Sequence, residues 1–186
     1  MKKILFIDRD GTLIYESSDE LIDGFDKLEF LPGVFRAMHK IAQMGFELVM
    51  VTNQDGLGTE KFPREKFQPV HDFIMTALKN EGITFDEECI DITYPHQNAP
   101  TRKPKTGMLT KYMNNPAYDL ANSFVLGDRY TDVELAKNLG CKAIFIDHGH
   151  NMGNAEISSK IEDLKEYIAL TTLSWDKIAE FLDTKK

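Results

Sequence analysis

The chain has 186 residues, a net charge of −8 and 42% hydrophobic residues, which suits one compact domain with a real core and excludes a disordered chain. The acidic balance argues against nucleic-acid binding, since Arg102-Lys103-Pro104-Lys105 is the one short basic cluster, and no apolar run approaches the roughly 20 residues that span a bilayer. Asp8 follows the N-terminus too soon for a signal peptide, and Cys89 and Cys141 read as reduced core residues, so the expectation is a soluble cytoplasmic protein.

In chain order, Lys3 to Ile7 is a short apolar run that reads as a buried parallel strand. Pro32 opens a helix carrying Val34, Met38, Ile41 and Ala42, and Gly45 closes it. Phe46 to Val51 is a second strand, ending at Thr52-Asn53. Pro63 opens a helix whose apolar stripe is Phe67, Val70, Phe73, Ile74, Ala77 and Leu78, with Gly82 as its stop. Cys89 to Tyr94 is a third strand, Pro95 to Thr106 a proline-rich loop, and Gly107 to Met113 a helix. Ser123 to Leu126 is a fourth strand, Thr131 to Leu139 a helix stopped by Gly140, and Lys142 to Ile146 a fifth strand. Ser174 to Leu182 is a terminal amphipathic helix, while the pattern between 149 and 173 is weak. Alternating strands and helices predict a doubly wound parallel sheet, with ligands beyond the carboxyl ends of its strands.

Those strand ends carry the chemistry. Asp8 and Asp10 follow the first strand, Thr52 and Asn53 the second, and Asp128 and Asp132 the fourth; Arg102 and Lys103 stand in the loop after the third. Each group has an ordinary reading as well. Asp8-Arg9-Asp10-Gly11 fits an acidic turn, Thr52-Asn53 a hydrogen-bonded turn, and Lys103 a solvated lysine in a loop stiffened by Pro100 and Pro104. Asp128 fits a helix cap and Asp132 a favoured first-turn acid. The functional reading gathers all four groups at one edge of the sheet.

The set Asp8-x-Asp10-Gly11-Thr12, Thr52-Asn53, Lys103-Pro104 and Gly127-Asp128-x-x-x-Asp132 resembles the haloacid dehalogenase-type phosphohydrolases over residues 3 to 147. Phe6 to Ile14, Phe25 to Leu28, Thr52 to Thr59, Arg102 to Lys105 and Gly127 to Arg129 are similar to the histidinol-phosphate phosphatase branch of that superfamily. The resemblance implies a Rossmann-like phosphatase domain over 1–186 without a large cap, 149–186 being a C-terminal extension packed on it. It implies Mg2+ on the Asp8 carboxylate, the Asp10 backbone carbonyl and Asp128, with Asp132 behind them. It implies Asp8 as nucleophile, Asp10 as general acid and base, and Lys103, Thr52 and Asn53 as phosphate ligands. Many members of the branch hold structural zinc in a loop of three cysteines and a histidine before Arg-Lys-Pro; here Tyr94 to Thr101 has His96 and no cysteine, so no zinc is expected.

Leu13 to Leu31 leaves room for a short flap only, so the site is expected to be open. Histidinol phosphate carries an amine and an imidazole, and Glu16, or alternatively Asp55, is the anion that would suit them; Arg102 would hold the phosphate or cap its loop. Many members are fused to imidazoleglycerol-phosphate dehydratase, so a fused or associated dehydratase is an expected partner beside the small phosphorylated metabolite. The competing readings are a phosphatase of heptose bisphosphate or another sugar phosphate, and a phospho-acceptor regulatory domain. The regulatory reading is disfavoured because its acceptor aspartate ends the third strand.

Overall fold

The computed structural model describes residues 1–186. Six parallel strands form one sheet: β1 (Ile4–Ile7), β2 (Glu47–Asn53), β3 (Glu87–Asp91), β4 (Phe124–Gly127), β5 (Lys142–Phe145) and β6 (Ile168–Thr171), in the order β3-β2-β1-β4-β5-β6. The chain winds outward from β1 to β3, then crosses to β4 and winds the other way. β1 therefore has β2 on one side and β4 on the other, the arrangement that opens a crevice at the strand ends.

Side-chain alternation along β1 divides the interior in two. Leu5 and Ile7 face a core of 26 buried residues shared with α1 (Val34–Ala42), α2 (Arg64–Asn80) and α5 (Trp175–Asp183). Ile4 and Phe6 face a core of 16 shared with α3 (Tyr130–Leu139) and the short α4 (Ile161–Leu164). On α1 the buried residues are Val34, Ala37, Met38 and Ile41, one face of a 3.6-residue period. A third, small cluster of Leu21, Leu57, Phe62 and Phe67 lies where the flap after β1 meets the loop after β2. No helix is long and apolar enough to cross a membrane.

The structure departs from the sequence reading in four places. The third strand is Glu87–Asp91, earlier than Cys89 to Tyr94, because it pairs with β2 in the register Val49 to Glu87. Residues 107 to 113 form one 3₁₀ turn, Gly107–Leu109, followed by turns, in place of a helix. Gly107 is there for a close approach: a Cβ on it would lie 2.3 Å from the Pro100 carbonyl oxygen. On α2 Phe73 is half-exposed and edge-on to Phe25, whereas His71 is buried in the stripe with Phe67, Val70, Ile74 and Leu78. Finally, the weakly patterned stretch 149–173 contributes β6, an edge strand only four residues long that alternates between half-buried and exposed.

The C-terminal helix reaches the candidate site. Ser174 caps α5, accepting from the Lys177 N–H, and Trp175, Ile178, Ala179 and Leu182 bury against α1. Trp175 is 1% exposed, and its indole N–H donates to the Thr12 carbonyl at 3.1 Å, tying α5 to the turn after β1. Trp175→Ala removes that bond and opens a large cavity, so urea denaturation is expected to show a loss of about 3–5 kcal/mol.

Candidate active site

β1 places Asp8 at the crevice, where its backbone N–H continues the ladder to the Leu126 carbonyl at 2.9 Å. Gly11 then turns the chain at φ +73°, and a Cβ there would sit 2.2 Å from Asp128 Oδ2, so the turn approaches Asp128 as only glycine can. The Lys103 ammonium lies between two carboxylates, 2.8 Å from Asp8 Oδ1 and 2.8 Å from Asp132 Oδ1. Asp132 Oδ2 accepts the Arg129 N–H at 3.1 Å, closing the first turn of α3. Asn53 grips the lysine's backbone from both sides, its Oδ1 accepting from the Lys103 N–H and its Nδ2 donating to the Lys103 carbonyl. Thr52 is buried, and its Oγ1 accepts from Gln54 Nε2, which leaves its own hydroxyl proton for another acceptor.

Asp8, Asp128 and Asp132 each offer an oxygen, all within 4.8 Å of one another. Burial pushes the Asp8 carboxyl well above the usual range, with Asp132 and Asp128 adding to the rise and Lys103 opposing it. Burial works against the charge on Lys103, but Asp132 and Asp8 more than offset it and hold the ammonium protonated. Two of these three carboxylates fit a hard divalent cation. Asp132 has both oxygens engaged, whereas Asp128 has a buried Oδ1 with no hydrogen-bond partner, adjacent to Asp8. An all-oxygen donor set of this kind suits magnesium better than a softer metal.

Asp10 is held differently. Arg9, fully buried, forks onto it with Nε 2.9 Å from Oδ1 and Nη2 3.1 Å from Oδ2, and Gln54 Nε2 donates to Oδ2 at 2.7 Å. Glu16 lines the same cleft, with Oε2 on Arg129 at 2.5 Å and a buried, unpartnered Oε1. Burial first, then Asp10, pushes the Glu16 carboxyl up to about 7 against the pull of Arg129.

The cleft, about 200 Å³, brings together Asp8, Asp10, Glu16, Thr52, Asn53, Asp55 and Lys103 from the sequence reading. Asp128 and Asp132 lie buried beneath it. Arg102 does not line it. Its guanidinium, 5% exposed, bonds Asp55, Glu156 and the Thr93 carbonyl, so it braces the loop instead of facing the opening. Asp55 is engaged through both oxygens in that brace. Cys89 is buried in the core, which pushes its thiol up to about 11, while His96 stacks on Tyr94 in the exposed loop.

Several site residues carried no role in the sequence reading. Arg9 and Gln54 stand inside the motifs but were given none, and Arg129 pairs with Glu16 across the cleft. Beyond β5, His148 Nε2 donates to the Gly11 carbonyl at 2.8 Å and His150 Nε2 to Asp128 Oδ2 at 2.9 Å. Looking past the fifth strand end, as past the others, finds this pair.

Fold and site together place a cluster of buried carboxylates and a lysine at a topological switch point of a parallel α/β sheet. Residues 100–170 match the HAD-hydrolase-like family model. The chain is 54% identical over 183 residues to the histidine biosynthesis bifunctional protein HisB of Bacteroides fragilis, covering 97% of this chain and 47% of that one. It is 50% identical over 187 residues to the protein of the same name from Spirosoma linguale, covering 98% and 49%. The chain thus spans about half the length of these curated relatives. Among solved structures it is similar to the D,D-heptose 1,7-bisphosphate phosphatase of B. bronchiseptica complexed with magnesium and phosphate, at a TM-score of 0.79 and 25% identity over the whole of both chains. By family model, sequence and fold the chain is thus similar to the haloacid dehalogenase-like hydrolases.

Asp8 and Glu16 both release their protons later in the folded chain than in the unfolded one. The folded state therefore binds more protons between the usual carboxylate range and about pH 7, and stability falls as pH rises through that window. Melting curves in EDTA are expected to drop from pH 5 to pH 8. Added Mg2+, which favours the deprotonated cluster, is expected to raise the pH 8 curve more than the pH 5 curve.

Proposed function

We propose that the chain is a magnesium-dependent phosphomonoesterase acting on histidinol phosphate. The observation that carries the phosphatase chemistry is the Asp8 carboxylate at the cleft floor, held 2.8 Å from a buried lysine and beside the unpartnered oxygen of Asp128. An Asp8 oxygen attacks phosphorus, the bond from phosphorus to the ester oxygen breaks, and the departing alkoxide takes a proton from Asp10. Water then attacks the aspartyl-phosphate, Asp10 takes the proton back, and the bond to Asp8 breaks to release inorganic phosphate. Lys103, the Thr52 hydroxyl and the Asn53 backbone N–H bind the phosphoryl oxygens through both steps. Magnesium, held when bound by the Asp8 carboxylate, the Asp10 backbone carbonyl and Asp128, supplies the positive charge that lets two anions meet.

Two observations favour histidinol phosphate. The relatives at 50–54% identity are named for histidine biosynthesis. The buried, unpartnered Glu16 Oε1 gives the cleft wall an acceptor for a cationic group of the substrate. Glu16 is favoured over Asp55, because Arg102 engages both Asp55 oxygens. A second phosphate, as in heptose bisphosphate, would meet Glu16, Asp19, Glu20, Asp55 and Glu156 along the same cleft, with Lys61 and Arg129 as the cations among them. The fused or associated dehydratase that the family resemblance implies belongs to the same proposal, in keeping with relatives named bifunctional, and so does a cytoplasmic setting.

Turnover of histidinol phosphate against a panel of monoesters, with and without Mg2+, tests this reading, and preference for a sugar bisphosphate would sink it. Asp8→Asn is expected to abolish turnover, and Asp10→Asn to slow it by about 10²–10⁴. Glu16→Gln is expected to raise KM for histidinol phosphate while sparing an uncharged alkyl phosphate; an equal effect on both would remove Glu16 from substrate recognition.

A further inference from the structure

His71 is the anomaly of α2: a 3%-exposed imidazole in a stripe of Phe67, Val70, Ile74 and Leu78. It lies outside the cleft lining, yet it is two contacts from Asp10. Arg9 links them. A guanidinium with no exposed surface must have its donors engaged. Nε and Nη2 fork onto Asp10, Nη2 also reaches Gln54 Oε1 at 3.2 Å, and Nη1 lies 3.3 Å from His71 Nδ1. The Phe67 ring covers the guanidinium carbon at 4.8 Å.

Guanidinium nitrogens only donate, so His71 Nδ1 must accept and carries no proton. The ring proton then sits on Nε2, which is 2.7 Å from Glu88 Oε2 on the edge strand β3. Phe67 stacks on the imidazole at 5.0 Å with planes 16° apart, which holds the ring in orientation. The result is one chain of contacts, Glu88 to His71 to Arg9 to Asp10.

We propose that His71, anchored by Glu88, is a positioning residue that sets the orientation of the Asp10 carboxylate through Arg9. This inference rests on the reading of Asp10 as the acid–base group. The fork grips both Asp10 oxygens, so rotation of the guanidinium turns the carboxylate with it. His71 Nδ1 is the acceptor that stops that rotation at the far end. A misplacement of about 1 Å in an acid–base group can cost about 100-fold in rate.

The test is kcat/KM, with Mg2+, on two alkyl esters (histidinol phosphate and β-glycerophosphate) and on p-nitrophenyl phosphate. This parameter reports steps up to departure of the leaving group, so base work on the second step does not enter. An alkoxide needs the proton from Asp10, whereas p-nitrophenolate leaves without one. His71→Asn puts an amide oxygen near the Nδ1 position and keeps an acceptor for Arg9. His71→Gln puts its amide near Nε2, within reach of Glu88, and leaves Arg9 without one. His71→Gln is expected to lower kcat/KM for the alkyl esters about 10- to 100-fold, with a much smaller loss on p-nitrophenyl phosphate. His71→Asn is expected to recover most of the alkyl activity. Equal losses on both ester classes in His71→Gln, or an Asn variant as impaired as the Gln variant, would overturn the tether. Asp10→Asn separates the two ideas. If it discriminates between the ester classes and His71→Gln does not, only the tether fails. If Asp10→Asn shows no discrimination, the acid–base reading fails and the tether with it.

Discussion

The buried ammonium of Lys103, shared between Asp8 and Asp132, is the interaction on which the rest of the site depends. The three residues come from separate parts of the chain: Asp8 from the end of β1, Lys103 from the loop after β3 and Asp132 from the first turn of α3. A carboxylate taken out of water alone would neutralise itself by taking a proton, and an isolated lysine would lose one. Here the charges hold each other, and they do so only if sheet order and loop path are right. β1 lies directly beside β4, so Asp8 and α3 are neighbours by sheet pairing. Lys103 has no such help, because it stands on a long loop.

That loop is therefore braced from several directions. Asn53 clamps the Lys103 backbone, and Asp91 accepts from Thr93 and from the Thr101 hydroxyl. Arg102 ties the loop to Asp55 on one side and Glu156 on the other. Glu156 belongs to the segment after β5, so the weakly patterned region 149–173 has a structural part in holding the lysine. The brace is polar and mostly buried, and each charged member has a partner, the condition under which buried ion pairs fix a conformation without leaving an uncompensated charge.

The strands and the ends that carry Asp8, Thr52 and Asp128 were legible in sequence because each signal is local: a short apolar run followed by polar residues. β6 was not legible, since a four-residue edge strand with one half-buried face has little periodicity to read. The orientation of Arg102 was not legible either. An arginine beside a lysine expected to bind phosphate reads naturally as a phosphate ligand, and only the distant Glu156 and Asp55 show that its donors are committed. His71 was hidden for a different reason. Phe73 two positions on was the better hydrophobe, and helical spacing alone could not tell which of the two faces inward.

The charge balance of the whole site explains why its resting state is strained toward protonation. Asp8, Asp10, Glu16, Asp128 and Asp132 face three nearby permanent cations, Arg9, Lys103 and Arg129. With every carboxylate ionised, the excess is two negative charges, which adds to the burial that raises the proton affinities of Asp8 and Glu16. A divalent cation cancels that excess outright. On the proposed function, an incoming phosphate dianion would restore it, and Lys103 and the Thr52 hydroxyl are the groups placed to meet that charge.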